Sequence, residues 1–193
     1  MLTTARNFCR APLREIPPPM PRISHSLVTA LSSLALAGAG LTVAAGTAHA
    51  QSCSQDYLPL PDPTCQPGAF NPDVTQSTID TTICVSGWTA TVRPSSSYTT
   101  ALKKTQIVEY GYTDTSTSDY EEDHFVPLEL GGAPKSELNL WPEPEYGTKT
   151  AANKDTVENK LKKAVCAGTV TLADAQDAIV TDWTTALADL GLS

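Results

Sequence analysis

Four cysteines follow residue 50: Cys53, Cys65, Cys84 and Cys166. An even number of cysteines in an exported chain reads as a disulfide framework, and four allow three pairings. We expect Cys53–Cys65, which closes a short Pro-rich loop, and Cys84–Cys166, which ties the N-terminal half to a helix end. The second would close a long loop, worth about 3–5 kcal/mol. Zinc is the other use of such residues, but no C-x-x-C spacing is present.

The disulfide reading depends on export, and residues 1–50 supply that argument. Arg6, Arg10, Arg14 and Arg22 precede an uncharged apolar stretch from about Leu27 to Ala45. Ala48-His49-Ala50 then gives a small-x-small cleavage pattern. Together these read as a secretory signal peptide cleaved near Ala50, which would remove Cys9. Met20 is an alternative start to Met1. The expected location is extracellular. No later apolar stretch is long enough to span a bilayer, so no membrane partner is expected.

Residues 1–50 hold four of the 13 basic residues and one of the 21 acidic ones, which leaves residues 51–193 at net −11. That balance weighs against nucleic acid as a partner, since phosphate contacts need Lys and Arg. A local basic surface can still coexist with an acidic total.

The expected organisation is one compact α+β domain after the signal. Residues 51–100 form a Pro-rich and strand segment packed on a core of residues 101–193. Ile79 to Val92 is rich in Ile, Val, Thr and Trp and predicts a strand. Tyr98 to Tyr110 predicts a short helix, and residues 111–119 a loop. Asp114, Asp119, Glu121 and Glu122 read as a solvated acidic turn; the spacing does not fit a calcium loop. Residues 120–130 predict a strand ended by Gly131-Gly132, and Leu138 to Pro142 a second strand stopped by Pro142. Helices are expected over 150–166 and 172–190 from their apolar spacing, with Thr171 and Asp174 capping the second. Trp141 and Trp183 are assigned to the core.

After residue 50 the chain has one histidine, His124, so any histidine chemistry must use it. Asp123 precedes it, and Asn139 and a helix carrying Lys154, Asp155 and Glu158 follow. Carboxylates suit a hard divalent cation, and an imidazole can take a proton from water near neutral pH. On a flat strand Asp123 and His124 face opposite ways, so a bend or bulge is needed to bring both to one site.

Tyr120-Glu-Glu-Asp-His-Phe-Val-Pro-Leu-Glu-Leu-Gly-Gly132, followed by Asn139-Leu-Trp-Pro-Glu143, resembles the HNH endonuclease (ββα-metal, His-Me finger) group. More narrowly, it is similar to small secreted bacterial HNH-like proteins with D-H-x-x-P-L-x-L-G-G…N-L-W-P-E. Ala151, Lys154, Asp155, Glu158, Cys166, Gln176 and Trp183 extend the likeness.

The resemblance implies a small ββα-metal hairpin-plus-helix core with flanking helices. It implies a metal-dependent endonuclease that hydrolyses DNA or RNA, with Mg²⁺ as cofactor and Mn²⁺ or Zn²⁺ as alternatives. His124 would be the general base, Asp123 a metal ligand, and Asn139 the residue that holds the hairpin. The group usually has a further His or Asn on the helix. Here Asp155 is the first choice for that ligand and Glu158 the reserve. Lys154 would bind the scissile phosphate or pair with Glu158. Lys149, Lys160, Lys162 and Lys163 would form a solvated face or the only basic patch nearby. The alternative function is a catalytically silent, disulfide-stapled binding or surface module. A monomer is expected.

Overall fold

The computed structural model describes residues 52–192. The expected signal peptide, its cleavage site and Cys9 lie outside the described residues. The architecture is α+β: a two-stranded antiparallel sheet, several helices and two disulfides. Both bridges follow the expected pairing, Cys53–Cys65 and Cys84–Cys166, with sequence separations of 12 and 82.

The strand expected over Ile79 to Val92 does not form. Ile79–Thr81 is a 3₁₀ turn and Trp88–Val92 is a short helix, α1. Three threonine hydroxyls explain the difference. Thr78, Thr81 and Thr82 donate to the carbonyls of Asp73, Thr78 and Thr78, so side chains compete for the backbone and favour turns. Gly87, at φ 80°, then opens α1. The next helix, α2, spans Ser96–Glu109, starts two residues before the expected segment and ends one residue short of Tyr110, its C-cap.

The strand expected over 120–130 is shorter. β1 covers Tyr120–His124, and Leu128–Leu130 is a 3₁₀ turn. The cause is Asn139, whose side chain takes up both backbone groups of Val126, while Pro127 has no N–H for a ladder. β2 covers Leu140–Pro144 and runs through Pro142 instead of stopping at it. A sheet of two strands leaves one edge of each without a partner, and a proline is tolerated there. The register is regular, from Tyr120 opposite Pro144 to His124 opposite Leu140.

α3 spans Ala151–Cys166 and opens with a capping box between Thr150 and Asn153. The last expected helix is broken into α4, Leu172–Asp182, and α5, Ala186–Asp189. Asp182 accepts from the Thr184 backbone N–H, and Trp183 donates its indole N–H to Pro59 O at 2.9 Å. These bonds draw the chain out of the helical path. The expected cap on α4 is present: the Asp174 N–H donates to the Thr171 hydroxyl.

Two apolar clusters hold these elements. One unites Ile83, Leu130, Leu161, Val165, Ile179 and Trp183, and so joins α3, α4 and the Gly131 turn. The other gathers Ile107, Tyr110, Tyr112, Tyr120, Phe125 and Trp141 between α2 and the hairpin. Trp141 is fully buried as expected, but its indole N–H has no partner. The Gly131-Gly132 turn is required sterically. A Cβ on Gly132 would collide with Val126 O, and one on Gly131 with Val74.

Candidate active site

The site is built on the end of β1. Asp123 and His124 pair in unbroken register with Trp141 and Leu140, so no bulge turns them to one side. Alternation sends the two side chains apart. Asp123 meets α3. His124 lines an open cleft of about 490 Å³ together with Arg93, Ser96, Thr99, Lys103, Glu122 and Glu145.

His124 is 4% exposed, and its Nε2 lies 3.0 Å from Pro134 O. A carbonyl can only accept, so Nε2 carries the proton and the lone pair sits on Nδ1. Burial pushes the imidazole pKa below its ordinary value, against the pull of the Asp123 carboxylate. The ring is therefore neutral at pH 7, with one nitrogen ready to accept a proton.

Asn139 is fully buried and locks the loop that carries Pro134. Its Oδ1 accepts from Val126 N at 2.8 Å and from Ala69 N at 3.3 Å. Its Nδ2 donates to Val126 O at 3.0 Å and Ala133 O at 3.2 Å. Both ends of the loop are thus held by one amide, and Pro134 is the residue after Ala133. A chain of contacts therefore runs from Asn139 through the loop to His124.

Lys154, at 1% exposure, is buried against carboxylates and reaches no open surface. Its Nζ donates to Asp123 Oδ2 at 2.7 Å, to His124 O at 3.0 Å and to Glu158 Oε1 at 2.5 Å. Burial alone would lower its pKa, but the carboxylates of Asp123, Glu158 and Glu143 outweigh that and hold it above the ordinary lysine value. As placed, Lys154 pairs with Glu158 and does not present its ammonium to a substrate.

Glu143 is 1% exposed, and neither of its carboxyl oxygens meets a hydrogen-bond donor. Burial, and then the Asp123 charge, push its pKa well above the ordinary value. Burial also raises Glu158, with the Lys154 ammonium opposing and Asp123 adding to the rise.

The expected metal ligands are therefore not brought to one open point. Asp123 and Glu158 are joined through the Lys154 ammonium, and Asp155 is exposed on α3. Among the described residues no group of three His, Cys, Asp or Glu side chains is arranged to hold a metal ion. The donor set does not fit a resident divalent cation while Lys154 occupies its centre.

Glu121, Glu122 and Glu143 are missed by the sequence reading. The first two are half-buried strand residues and not a solvated turn. Glu122 lies two residues from His124 on the same strand, so both side chains project to one side. Both its carboxyl oxygens are buried without a hydrogen-bond partner. Burial, opposed by the Lys103 ammonium, raises the Glu122 pKa to about 8, and burial with Asp123 raises Glu121 to about 7. The alternation Tyr-Glu-Glu-Asp-His was a usable signal: it places Glu122 with His124 and Glu121 with Asp123.

The expected basic patch loses Lys154 to the interior. Lys160 and Lys163 are exposed, Lys162 pairs with Glu129 at 3.2 Å, and Lys149 lies 6.0 Å from the centre of the Trp183 ring. Among the described residues no helix is long and apolar enough to cross a membrane. No family model, curated protein or solved structure matches the chain.

Proposed function

We propose that the chain is a secreted, HNH-like phosphodiesterase acting on nucleic acid, with His124 as its general base. The observation that carries this reading is the His124 ring itself. It is neutral, held at Nε2 by Pro134 O, oriented by the Asn139 clamp, and set at the edge of an open cleft. The hairpin followed by α3, with Asn139 at the start of the return, is the element order that the HNH resemblance implies. Two formed disulfides support an oxidising, extracellular location.

The metal dependence implied by the resemblance is not carried into this reading, because Lys154 holds the carboxylates that would ligate the ion. A base acting with an acid, and no metal, can cleave RNA, whose own 2′-OH is the nucleophile. His124 Nδ1 takes the 2′-OH proton as the O2′–P bond forms. The P–O5′ bond breaks, and the protonated Glu122 carboxyl delivers a proton to the leaving oxygen. Glu122 and His124 are two strand positions apart on one face, roughly 7 Å between Cα atoms, and both line the cleft. Arg93 supplies a guanidinium at the cleft wall.

A second reading, the catalytically silent binding or surface module, is favoured by the carboxylates that share the cleft. Glu121, Glu122 and Glu145 stand against a polyanion. One experiment separates the two. Purified protein lacking residues 1–50 is incubated with RNA and with plasmid DNA, in EDTA and in Mg²⁺, beside His124→Ala and Glu122→Gln. RNA cleavage that survives EDTA, falls by about a hundredfold or more in His124→Ala, and peaks between the His124 and Glu122 pKa values supports the proposal. Cleavage abolished by EDTA supports metal-dependent hydrolysis instead. No cleavage of either substrate by a well-folded parent leaves the binding module as the reading.

A further inference from the structure

Three oxygens surround one point between β1 and α3: Asp123 Oδ2, Glu158 Oε1 and the backbone carbonyl of His124, at 2.5 to 3.0 Å from Lys154 Nζ. A third acidic group, Glu143, stands beyond ion-pair distance of the ammonium, is 1% exposed and has no donor at either oxygen. This is the ligand chemistry of a calcium site, which takes carboxylate and carbonyl oxygens at about 2.3–2.6 Å. It is filled by a side chain of the same protein. An ammonium offers three donors and one positive charge, and here all three find an acceptor. The arrangement needs no ligand from solution and cannot lose its cation to a chelator.

We propose that Lys154 is the resident cation of a latent divalent-metal site formed by Asp123, Glu158 and the His124 carbonyl, with the buried Glu143 nearby, and that this ammonium makes the native protein refuse divalent cations there. The inference goes beyond the nuclease reading and does not rest on it. Either a cleaving or a silent protein can carry a built-in cation. The backbone carbonyl in the site belongs to His124, so the same ammonium also fixes the end of β1 from which the imidazole projects.

The chemistry explains why a lysine suffices. Three buried carboxyl groups facing one another cannot all ionise, because the charges repel in a medium of low dielectric. One ammonium neutralises one carboxylate, and the remaining acids keep protons. A divalent cation would compete with those protons and with the lysine together. Removing the lysine leaves two acidic groups and a backbone carbonyl around a space of ammonium size, open to a cation and to the waters that complete its shell.

The test is a calorimetric titration of the parent, Lys154→Ala and Lys154→Arg with Ca²⁺ and with Mn²⁺ at pH 7.5, with melting temperatures in EDTA and in each ion. The parent and Lys154→Arg should bind neither ion at the site and melt at the same temperature in all conditions. Lys154→Ala should bind one Ca²⁺ with a Kd in the range of about 10⁻⁵–10⁻³ M, as expected for few carboxylates. Its melting temperature should rise with Ca²⁺ concentration, because the ion binds only the folded chain. If Lys154→Ala is unfolded in EDTA, millimolar Ca²⁺ should fold it. Stoichiometric binding by the parent overturns the proposal. So does a Lys154→Ala protein that is folded and binds nothing, or one that stays unfolded in Ca²⁺. None of these outcomes depends on RNA cleavage, so failure here and failure of the nuclease reading are separate results.

Discussion

Two polar regions meet at the end of β1, and burial treats them in opposite ways. Behind Asp123, the Lys154 ammonium is shared among two carboxylates and a backbone carbonyl, and the region is closed. Beside His124, a neutral imidazole and a carboxyl with no partner line an open cleft. The first region is compensated by charge. The second is compensated by giving up charge, with the imidazole pKa pushed down and the Glu122 pKa pushed up. A buried ion pair is costly to break from one side, whereas a neutral group that keeps a proton tolerates change. The closed region therefore carries stability, and the open one retains groups that can exchange protons.

Breaking the closed region should have the largest effect. Lys154→Met removes the single cation among Asp123, Glu143 and Glu158 and should destabilise the fold by about 3–5 kcal/mol at pH 8. The loss should shrink towards pH 5, where the raised Glu143 and Glu158 hold their protons; chemical denaturation at both pH values measures it. An equal loss at the two pH values would show that packing, not charge, is what the lysine supplies.

Asn139→Ala comes next. It strips partners from Val126, Ala133 and Ala69 at once. Each buried backbone group left alone costs roughly 1–3 kcal/mol, and local relaxation should leave a total of about 3 kcal/mol. The loosened loop should also raise the His124 pKa towards its ordinary value, which NMR titration of the one imidazole after residue 50 can follow. An unchanged titration would separate the clamp from the ring.

The pH dependence of stability sharpens the contrast. Glu121, at about 7, and Glu122, at about 8, lie above the ordinary glutamate value in the folded chain, and Glu158 is raised too. From about pH 4.5 to 8 the folded chain then holds more protons than the unfolded chain, so stability falls as pH rises. The lowered His124 pKa acts in the other direction, but only below about pH 6.5. The melting temperature should therefore drop from pH 6.5 to pH 9 by about 5 °C, a change of roughly 1–2 kcal/mol. Glu122→Gln should flatten that slope. A melting temperature that rises over this range would mean that these carboxyls are ionised in the fold.

Lys162→Ala provides the smallest effect. Its pairing with Glu129 is partly exposed on both sides, so the loss should stay under about 1 kcal/mol and diminish in salt. The contrast with Lys154→Met, on the same helix, measures what burial adds to one lysine–glutamate pair.

Parts of this molecule were legible in the residues alone. The disulfide pairing followed from four cysteines and one short spacing. α3 followed from its apolar stripe, and the Thr171 cap from its spacing to Asp174. The core positions of Trp141 and Trp183 were also readable. The strand expected over Ile79 to Val92 was not, because threonine side chains bonding to carbonyls are invisible to a β-propensity argument. The passage of β2 through Pro142 depended on which edge of the strand lacks a neighbour, a property of the sheet and not of the segment.

The site divides in the same way. That His124 is the one imidazole available after residue 50, that it follows Asp123, and that Glu122 shares its strand face are consequences of order and alternation, which a chain carries in one dimension. The partner of Asp123 was a matter of three dimensions. An i,i+4 spacing allowed Lys154 to pair with Glu158, but only the packing of α3 against β1 brought its ammonium to Asp123 and to the carbonyl of His124. The same packing buried Glu143 beside them. Charge and proton affinity depend on what surrounds a group after solvent has been excluded. The residue types were therefore set by the sequence, while the cation that fills the carboxylate cluster was decided by the tertiary structure.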